Sequence, residues 1–457
     1  MASNLDNMRY KHILVVGMGK SGIAAAQAML KLGAVVYIQD SRKEEEFSAP
    51  VVSFLKDNGA ICFFGCTPPD MGVFDMIILS PGVSPELDFV REGKEKGAEI
   101  TGELEIAYRI GKGRYAAITG TNGKTTTTTL TGRIFEAAGR RTHVVGNIGV
   151  AVISASANAS EQDWLVTETS SFQLETIKYF KPQVAAILNL TPDHLNRHHT
   201  MEAYGAAKAK IFSNQTADCY SIVNYDDKAC FALAKSSRAT IVPFSRKEQL
   251  DFGAFVKDGS IVIRDKEKEV EICKLTDIKI IGDHNVENVL AAAAVSYFSG
   301  IAPEIIKKAV SEFGGVEHRI EFCGEIEGVR YYNDSKGTNI DAAVTALNAI
   351  KENIILIAGG DAKGQKFDEF IKKFDGRVKK MILLGRDAKF IQEAADREGF
   401  KDYVFCKDMD ECVKEAYASA APGDTVLLSP ACASWDMYDN YEQRGDHFKE
   451  CVARLEA

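Results

Sequence analysis

The chain has 457 residues, 46% hydrophobic and 26% charged, with a net charge of −9. That is too long for one core and ordinary for a globular protein, so two or three domains are expected. The acidic balance argues against a nucleic-acid binder, there is no apolar run of about 18 residues to span a membrane, and the opening MASNLDNMRYKHILVVG lacks the parts of a secretory leader. Ten cysteines are scattered without a C-x-x-C pair, which suits buried thiols in a reducing cytoplasm.

Residues 1–111 read as a first module. An apolar strand from His12 to Val16 runs into Gly17-Met18-Gly19-Lys20-Ser21-Gly22 and a helix through Leu30. A second strand, Val35 to Gln39, ends in Asp40, and further strands are predicted at Ile61 to Phe64 and at Met76 to Leu79, before Ser80-Pro81-Gly82. Strands alternating with helices predict a parallel α/β sheet. Gly17-x-Gly19-x-x-Gly22 with Asp40 downstream has the spacing of a dinucleotide fingerprint. Its physics is wider than nicotinamide binding, because any diphosphate, including that of a UDP group, suits a glycine turn at a helix N-terminus. A purely structural turn is the plain alternative. Gly111-Lys112-Gly113 reads as a hinge.

Residues 112–315 read as a second module. A strand from Tyr115 to Ile118 leads into Thr119-Gly120-Thr121-Asn122-Gly123-Lys124-Thr125, and Leu130, Ile134 and Ala138 follow at helical spacing. Strand, glycine turn and helix together form a shortened phosphate loop: backbone N–H groups face one spot, Lys124 reaches β/γ-phosphates and the Thr125 hydroxyl can hold Mg²⁺. This predicts ATP or GTP chemistry. Glu168 ends the strand begun at Trp164, the place for a second Mg²⁺ contact, while Ser170, Ser171 and Glu175 suit the start of a helix. A further strand, Val184 to Leu188, precedes Asn189-Leu190-Thr191-Pro192-Asp193-His194. His194 is either a metal ligand or a proton acceptor, and His198 and His199 read as solvated. On a helix around Tyr204 to Phe212, Lys208 shares a face with both aromatic residues, so it is either partly buried with a lowered pKa or snorkels to solvent. Shorter strands are expected over about 218–282 and a helix from Asn285 to Phe298.

Residues 316–457 read as a third, doubly wound module. Apolar runs at Ile354 to Ala358, Met381 to Leu384 and Thr425 to Leu428 each end in a polar loop. The clusters Asn333 to Asn339, Gly359 to Gly364 and Ser429 to Asp436 point to one cleft suited to an acidic amino acid.

Taken together, Gly120 to Thr125, Gly146-Asn147-Ile148-Gly149, Glu168 to Glu175, Asn189 to His194, His318-Arg319 and Ser429 to Asp436 resemble the Mur ligases over nearly the whole chain. The stretches Ser-Ser-Phe-Gln-Leu-Glu and Ser-Pro-Ala-Cys-Ala-Ser are similar to the D-glutamate-adding branch, and no Asp-Asn-Pro-Arg stretch of the diaminopimelate- and lysine-adding branches occurs in the third module. The resemblance implies a Rossmann-like N-terminal domain, a central P-loop ATPase-like α/β domain and a C-terminal Rossmann-like α/β domain. It implies a cytoplasmic, monomeric enzyme of peptidoglycan precursor synthesis. ATP would phosphorylate the alanyl carboxylate of UDP-N-acetylmuramoyl-L-alanine, and the amine of D-glutamate would attack the acyl phosphate.

By the same resemblance Thr119, Gly120, Thr121, Asn122, Gly123, Lys124, Thr125, Asn285, Arg319 and Asp334 touch ATP. Thr125 and Glu168 hold one Mg²⁺, and His194 and a carbamylated Lys208 serve a second, Lys210 being the other lysine nearby. Gly17, Gly19, Lys20, Ser21, Asp40, Ser41, Arg42, Gly82 and Asn147 meet the uridine substrate, and Lys336, Thr338, Lys363, Ser434, Trp435 and Tyr441 meet D-glutamate. Lys124, Glu168, His194 and Lys208 are the catalytic set. The competing classes are folylpolyglutamate synthase, which has no nucleotide-sugar module before its loop, a nicotinamide oxidoreductase, and a non-catalytic ATP-gated scaffold.

Overall fold

The computed structural model describes residues 8–351 and 353–455. Residues 1–7, part of the segment read for a leader, lie outside them. The chain forms two compact units, one running to Asp277 and resuming over Val286–Ser311, the other made of Ile278–Asn285 and the chain from Glu312 on.

The first unit holds two sheets. Strands β1 (His12–Val16), β2 (Val35–Asp40), β3 (Ile61–Phe64), β4 (Met76–Leu79) and β5 (Glu99–Gly102) make a five-stranded sheet in the order β3-β2-β1-β4-β5, parallel throughout. Every residue from Ile13 to Val16 is buried, as a strand covered on both faces requires. The period of two then divides them, Ile13 and Val15 into one apolar layer and Leu14 and Val16 into the other.

Strands β6 (Arg114–Thr119), β7 (Thr142–Gly146), β8 (Trp164–Glu168), β9 (Val184–Ile187), β10 (Tyr220–Asn224), β11 (Thr240–Ser245), β12 (Gly253–Lys257), β13 (Ser260–Arg264) and β14 (Glu269–Lys274) make a nine-stranded sheet, in the order β14-β13-β12-β11-β10-β9-β6-β8-β7. It is parallel as far as β12, and β13 and β14 add antiparallel strands at one edge. Strand order reverses at β1 in the first sheet and at β6 in the second, and a glycine turn follows each of these two strands.

The predicted hinge at Gly111 is instead a packed junction. The helix Glu103–Ile110 lies against the helix Val152–Ser156, and one apolar cluster runs from Ile13 through Leu104 and Tyr115 to Ala185. The fully buried Glu105 carboxylate accepts from the N–H groups of Lys178, Tyr179 and Phe180 at 2.9–3.0 Å and pairs with Arg109 at 2.8 Å.

The second unit carries β15 (Glu321–Ile326), β16 (Val329–Asn333), β17 (Ile354–Gly359), β18 (Val378–Leu384), β19 (Tyr403–Phe405) and β20 (Thr425–Leu428), in the order β15-β16-β20-β17-β18-β19. Only β15 runs antiparallel to its neighbour. Leu356, Leu383 and Leu427 face one apolar layer, and Ile357, Ile382 and Val426 the other. Among the described residues no helix is long and apolar enough to cross a membrane.

Candidate active site

The glycine turn after β6 opens the helix Lys124–Ala137. Asn189, just past the neighbouring β9, holds this turn in shape. Its Oδ1 accepts from the N–H groups of Thr121 (3.0 Å) and Asn122 (2.8 Å), and its Nδ2 donates to the Asn122 carbonyl at 3.1 Å. Gly123 is left-handed at φ +80°, and a Cβ there would stand 2.2 Å from Asn288 Oδ1, so the turn admits only glycine. Asn288 lies on the helix Asp283–Phe298 and also accepts from the Thr127 hydroxyl at 3.3 Å.

Two ammonium groups converge on the loop. Lys124 Nζ donates to the carbonyls of Gly120 (2.9 Å) and Thr121 (2.7 Å), and Lys208 Nζ donates to the same Gly120 carbonyl at 2.7 Å. Lys208 is buried on the helix Met201–Ala209, 4.6 Å from the Tyr204 ring centre. Burial, and after it the neighbouring Lys124, lowers its pKa to about 7. Of the two readings of Lys208, the buried one holds. Lys210 is exposed and donates to the Glu175 carbonyl. A site with Lys124, Lys208 and a helix N-terminus around one turn favours a polyphosphate.

Glu168, at the end of β8, is buried beside this turn. Its Oε1 accepts from Asn147 Nδ2 at 2.8 Å, and the Asn147 N–H donates to the Glu168 carbonyl at 3.0 Å. Its Oε2 is buried with no hydrogen-bond partner among the described residues. A buried, bare carboxylate oxygen is costly unless a cation completes it. Together with the buried Thr125 in the first helical turn, it fits a hard divalent cation such as Mg²⁺. Ser170 and Gln173 close a capping box behind it, the helix-start role read for this stretch.

His194 is exposed at φ +52°, its ring 4.8 Å from that of Phe172 and its Nε2 3.4 Å from Asp193. His198, read as solvated, is instead buried: its Nε2 lies 2.9 Å from Ser171 Oγ, its ring stacks on Phe172, and burial pushes its pKa down. The short helix Leu195–His198 turns it inward, which spacing in a loop does not reveal. His199 is exposed, as read.

At the turn after β1, the Met18 N–H donates to Asp40 Oδ2 at 2.7 Å, and Arg42 donates from its backbone and guanidinium at 3.0–3.1 Å. Burial works to raise the Asp40 carboxyl, but these bonds outweigh it and hold the pKa low. Ser80 Oγ donates to the Gly17 carbonyl at 2.8 Å, and a Cβ on Gly22 would stand 1.8 Å from that oxygen. Gly19, Lys20, Ser41, Arg42 and Gly82 are exposed around this turn, and Ser21 is half-buried.

In the second unit, Asp334 follows β16 and Ser429 follows the adjacent β20. Ser429 Oγ donates to Asp334 Oδ2 at 2.7 Å, and the Ile320 N–H to Oδ1 at 3.3 Å. Burial pushes Asp334 up to about 7 against the opposing pull of Ser429 and Arg319. Lys336 Nζ stands 5.6 Å from the Tyr441 ring centre and Lys363 Nζ 4.1 Å from that of Trp435, while Ser434 is buried and Thr338 half-buried nearby in sequence. Asn285 is buried and donates to the Ile281 carbonyl at 2.7 Å.

Sequence reading assigned no role to Arg444. It is 2% exposed, and it donates to Ser335 Oγ (3.0 Å) and to the carbonyls of Ser335 (2.8 Å) and Cys432 (3.1 Å). Its Nη1 is buried without a partner among the described residues, and burial lowers its pKa to about 10. Asn189 and Asn288 were likewise given no role. Asn189 had a signal, its place just past an apolar strand, and Arg444 had one in Glu442-Gln443-Arg444-Gly445, a further stretch that resembles the Mur ligases, whereas Asn288 lies inside a helix whose sequence looks ordinary.

Three family descriptions match in chain order: the MurD-like N-terminal domain of Mur ligases over residues 11–102, the Mur ligase middle domain over 118–296, and the Mur ligase glutamate ligase domain over 318–432. The chain belongs to the Mur ligase family. It is similar to the UDP-N-acetylmuramoylalanine–D-glutamate ligases of Alkaliphilus oremlandii (49% identical), Thermoanaerobacter sp. strain X514 (48%) and Clostridioides difficile strain 630 (44%). Each alignment covers 98% of this chain and 99–100% of the relative. Among solved structures, the UDP-N-acetylmuramate–alanine ligase from Thermotoga maritima matches with TM-score 0.57 at 19% identity, over 98% of this chain and 99% of that one. The UDP-N-acetylmuramoylalanyl-D-glutamyl-2,6-diaminopimelate–D-alanyl-D-alanyl ligase from Acinetobacter baumannii matches with TM-score 0.57 at 15%, over 92% and 90%. These distant structures share the fold.

Proposed function

We propose that this chain is an ATP-dependent ligase that joins D-glutamate to UDP-N-acetylmuramoyl-L-alanine in the cytoplasm, as a monomer, during peptidoglycan precursor synthesis. The observation that carries the reading is identity of 44–49% over 98% of the chain with relatives of that printed name. Members of this family are ATP-dependent and use Mg²⁺. The modules fall at residues 1–111 for the uridine substrate, 112–315 for ATP and 316–457 for D-glutamate and ATP.

The residues divide the work as follows. The N–H groups of Gly120 to Lys124 and the Lys124 ammonium hold the transferring phosphates, helped by Asn285, Arg319 and Asp334. Lys124 leaves the Gly120 and Thr121 carbonyls to do so and stabilises charge that develops as the γ-phosphoryl moves to the alanyl carboxylate. Thr125 and Glu168 hold one Mg²⁺, and His194 with carbamylated Lys208 serves a second. Bound there, the metal neutralises phosphate charge. A pKa near 7 keeps a large share of Lys208 as the free amine near neutrality, the form that reacts with CO₂. Asn147 orients the muramoyl-alanine end, and the Gly17 to Gly22 turn, Asp40, Ser41, Arg42 and Gly82 bind the uridine nucleotide. Lys336, Thr338, Lys363, Ser434, Trp435 and Tyr441 bind D-glutamate, whose amine attacks the acyl phosphate to give amide and inorganic phosphate.

The test is phosphate release from ATP. It should require both UDP-N-acetylmuramoyl-L-alanine and D-glutamate, with the D-glutamyl product detected by mass. ATP hydrolysis without that product, or turnover with a different amino acid, would overturn the reading.

A further inference from the structure

Asp410, His447 and Cys451 lie outside every role assigned above, and their ligand atoms all fall within 4.8 Å of one another. Asp410 sits in the first turn of the helix Met409–Ser419. His447 and Cys451 are four apart on the helix Tyr441–Ala453 and so share a face. Met409, Cys412 and Val413 from one helix join Phe448, Cys451 and Val452 from the other in one apolar cluster, which fixes the spacing of the three groups.

The surroundings orient each donor. His447 Nε2 stands 3.0 Å from Asp410 Oδ2, and its Nδ1 stands 3.0 Å from Tyr438 Oη. Arg454 Nη2 donates to the other carboxylate oxygen, Asp410 Oδ1, at 2.6 Å, and lies 3.0 Å from Cys451 Sγ. The Arg454 side chain is half exposed, and for an ion to bind it would have to leave the sulfur. Ordinary ligand-binding histidines give their second ring N–H to an acceptor, and Tyr438 Oη is placed for that.

We propose that Asp410, His447 and Cys451 bind a thiophilic divalent cation of the zinc class, with solvent as a fourth ligand. One nitrogen, one sulfur and one oxygen donor make a set that zinc-like ions take in tetrahedral sites, whereas Mg²⁺ prefers oxygen alone. On binding, the Cys451 thiol releases its proton to solvent, and His447 ligates through Nε2 as the neutral Nδ1–H tautomer, whose Nδ1–H donates to Tyr438 Oη. The ion would tie the two helices together on the side of the third sheet that they cover. It is a structural clamp, separate from phosphate chemistry. The alternative is a Tyr438–His447–Asp410 hydrogen-bond chain closed by Arg454 that takes no ion.

The experiment titrates the full chain with Co²⁺ in excess Mg²⁺. One equivalent of Co²⁺ should bring up a thiolate-to-cobalt absorption in the near ultraviolet, and Zn²⁺ should abolish it. Cys451→Ser and His447→Gln should each remove the band while circular dichroism shows a folded chain, and Asp410→Asn should weaken Co²⁺ binding about ten-fold. His447 is partly exposed, so its variant reports even where Cys451→Ser fails to fold. No thiolate band in the parent, or an undiminished band in folded His447→Gln, would sink the proposal.

Discussion

Lys124 and Lys208 both donate to the Gly120 carbonyl, so two lysine nitrogens share one oxygen of the loop. The Lys124 ammonium is satisfied better by an anion than by a carbonyl. Lys124→Ala should therefore abolish turnover, a loss of several kcal/mol by the scale of single electrostatic stabilisers, read as phosphate release at saturating substrates. Near-normal turnover would remove the phosphate role. Tyr204 and Phe212 at helical spacing made burial one of two readings of Lys208, and only packing decided between burial and snorkelling. The raised pKa of Asp334 had no signal in the sequence: its partner Ser429 lies 95 residues away. Asp334 binds its proton more tightly folded, at about 7, than its ordinary 3.8. Its contribution to stability is complete below about pH 4 and is lost as pH rises through about 7. Asp334→Asn carries no such loss. Urea melts should show the stability difference moving in the variant's favour from pH 4.5 to pH 7.5, by roughly 4 kcal/mol at most. A difference that stays flat across that range would mean Asp334 is ionised in the fold.

The β6 turn works as an element only because it is tied from both sides, by Asn189 past β9 and by Asn288 on the helix Asp283–Phe298. Gly123→Ala brings a Cβ into Asn288 and forces a side chain into left-handed backbone. The cost should be about 1–3 kcal/mol, seen as a lowered melting temperature, with ATP affinity reduced in step. Unchanged melting and affinity would show that the turn relaxes freely. The strand–turn–helix pattern was readable because apolar runs and glycines follow local rules. The antiparallel edges made by β13, β14 and β15 were not, since strand direction depends on pairing partners and leaves no mark in a short apolar run.

At the scale of the molecule, the first two sheets share one apolar cluster and the buried Glu105 carboxylate bridges them. Glu105→Ala leaves three N–H groups without their acceptor and Arg109 with Glu99 as its remaining partner, so it should cost about 3 kcal/mol. Thermal melting should fall and lose cooperativity, the first sheet unfolding ahead of the second. A single transition at the parent's temperature would show that apolar packing alone joins them. Composition and the order of apolar runs determined by themselves that the chain is a series of α/β modules with a phosphate loop in the middle one, because periodicity and glycine turns are local properties. Tertiary structure alone decided that Gly111 marks a packed junction, that His198 is buried, that Glu168 keeps one oxygen without a partner among the described residues, and that Asp410, His447 and Cys451 meet. Each of these depends on which surfaces pack together, and burial is what sets the cost of a charge or an unpaired polar atom.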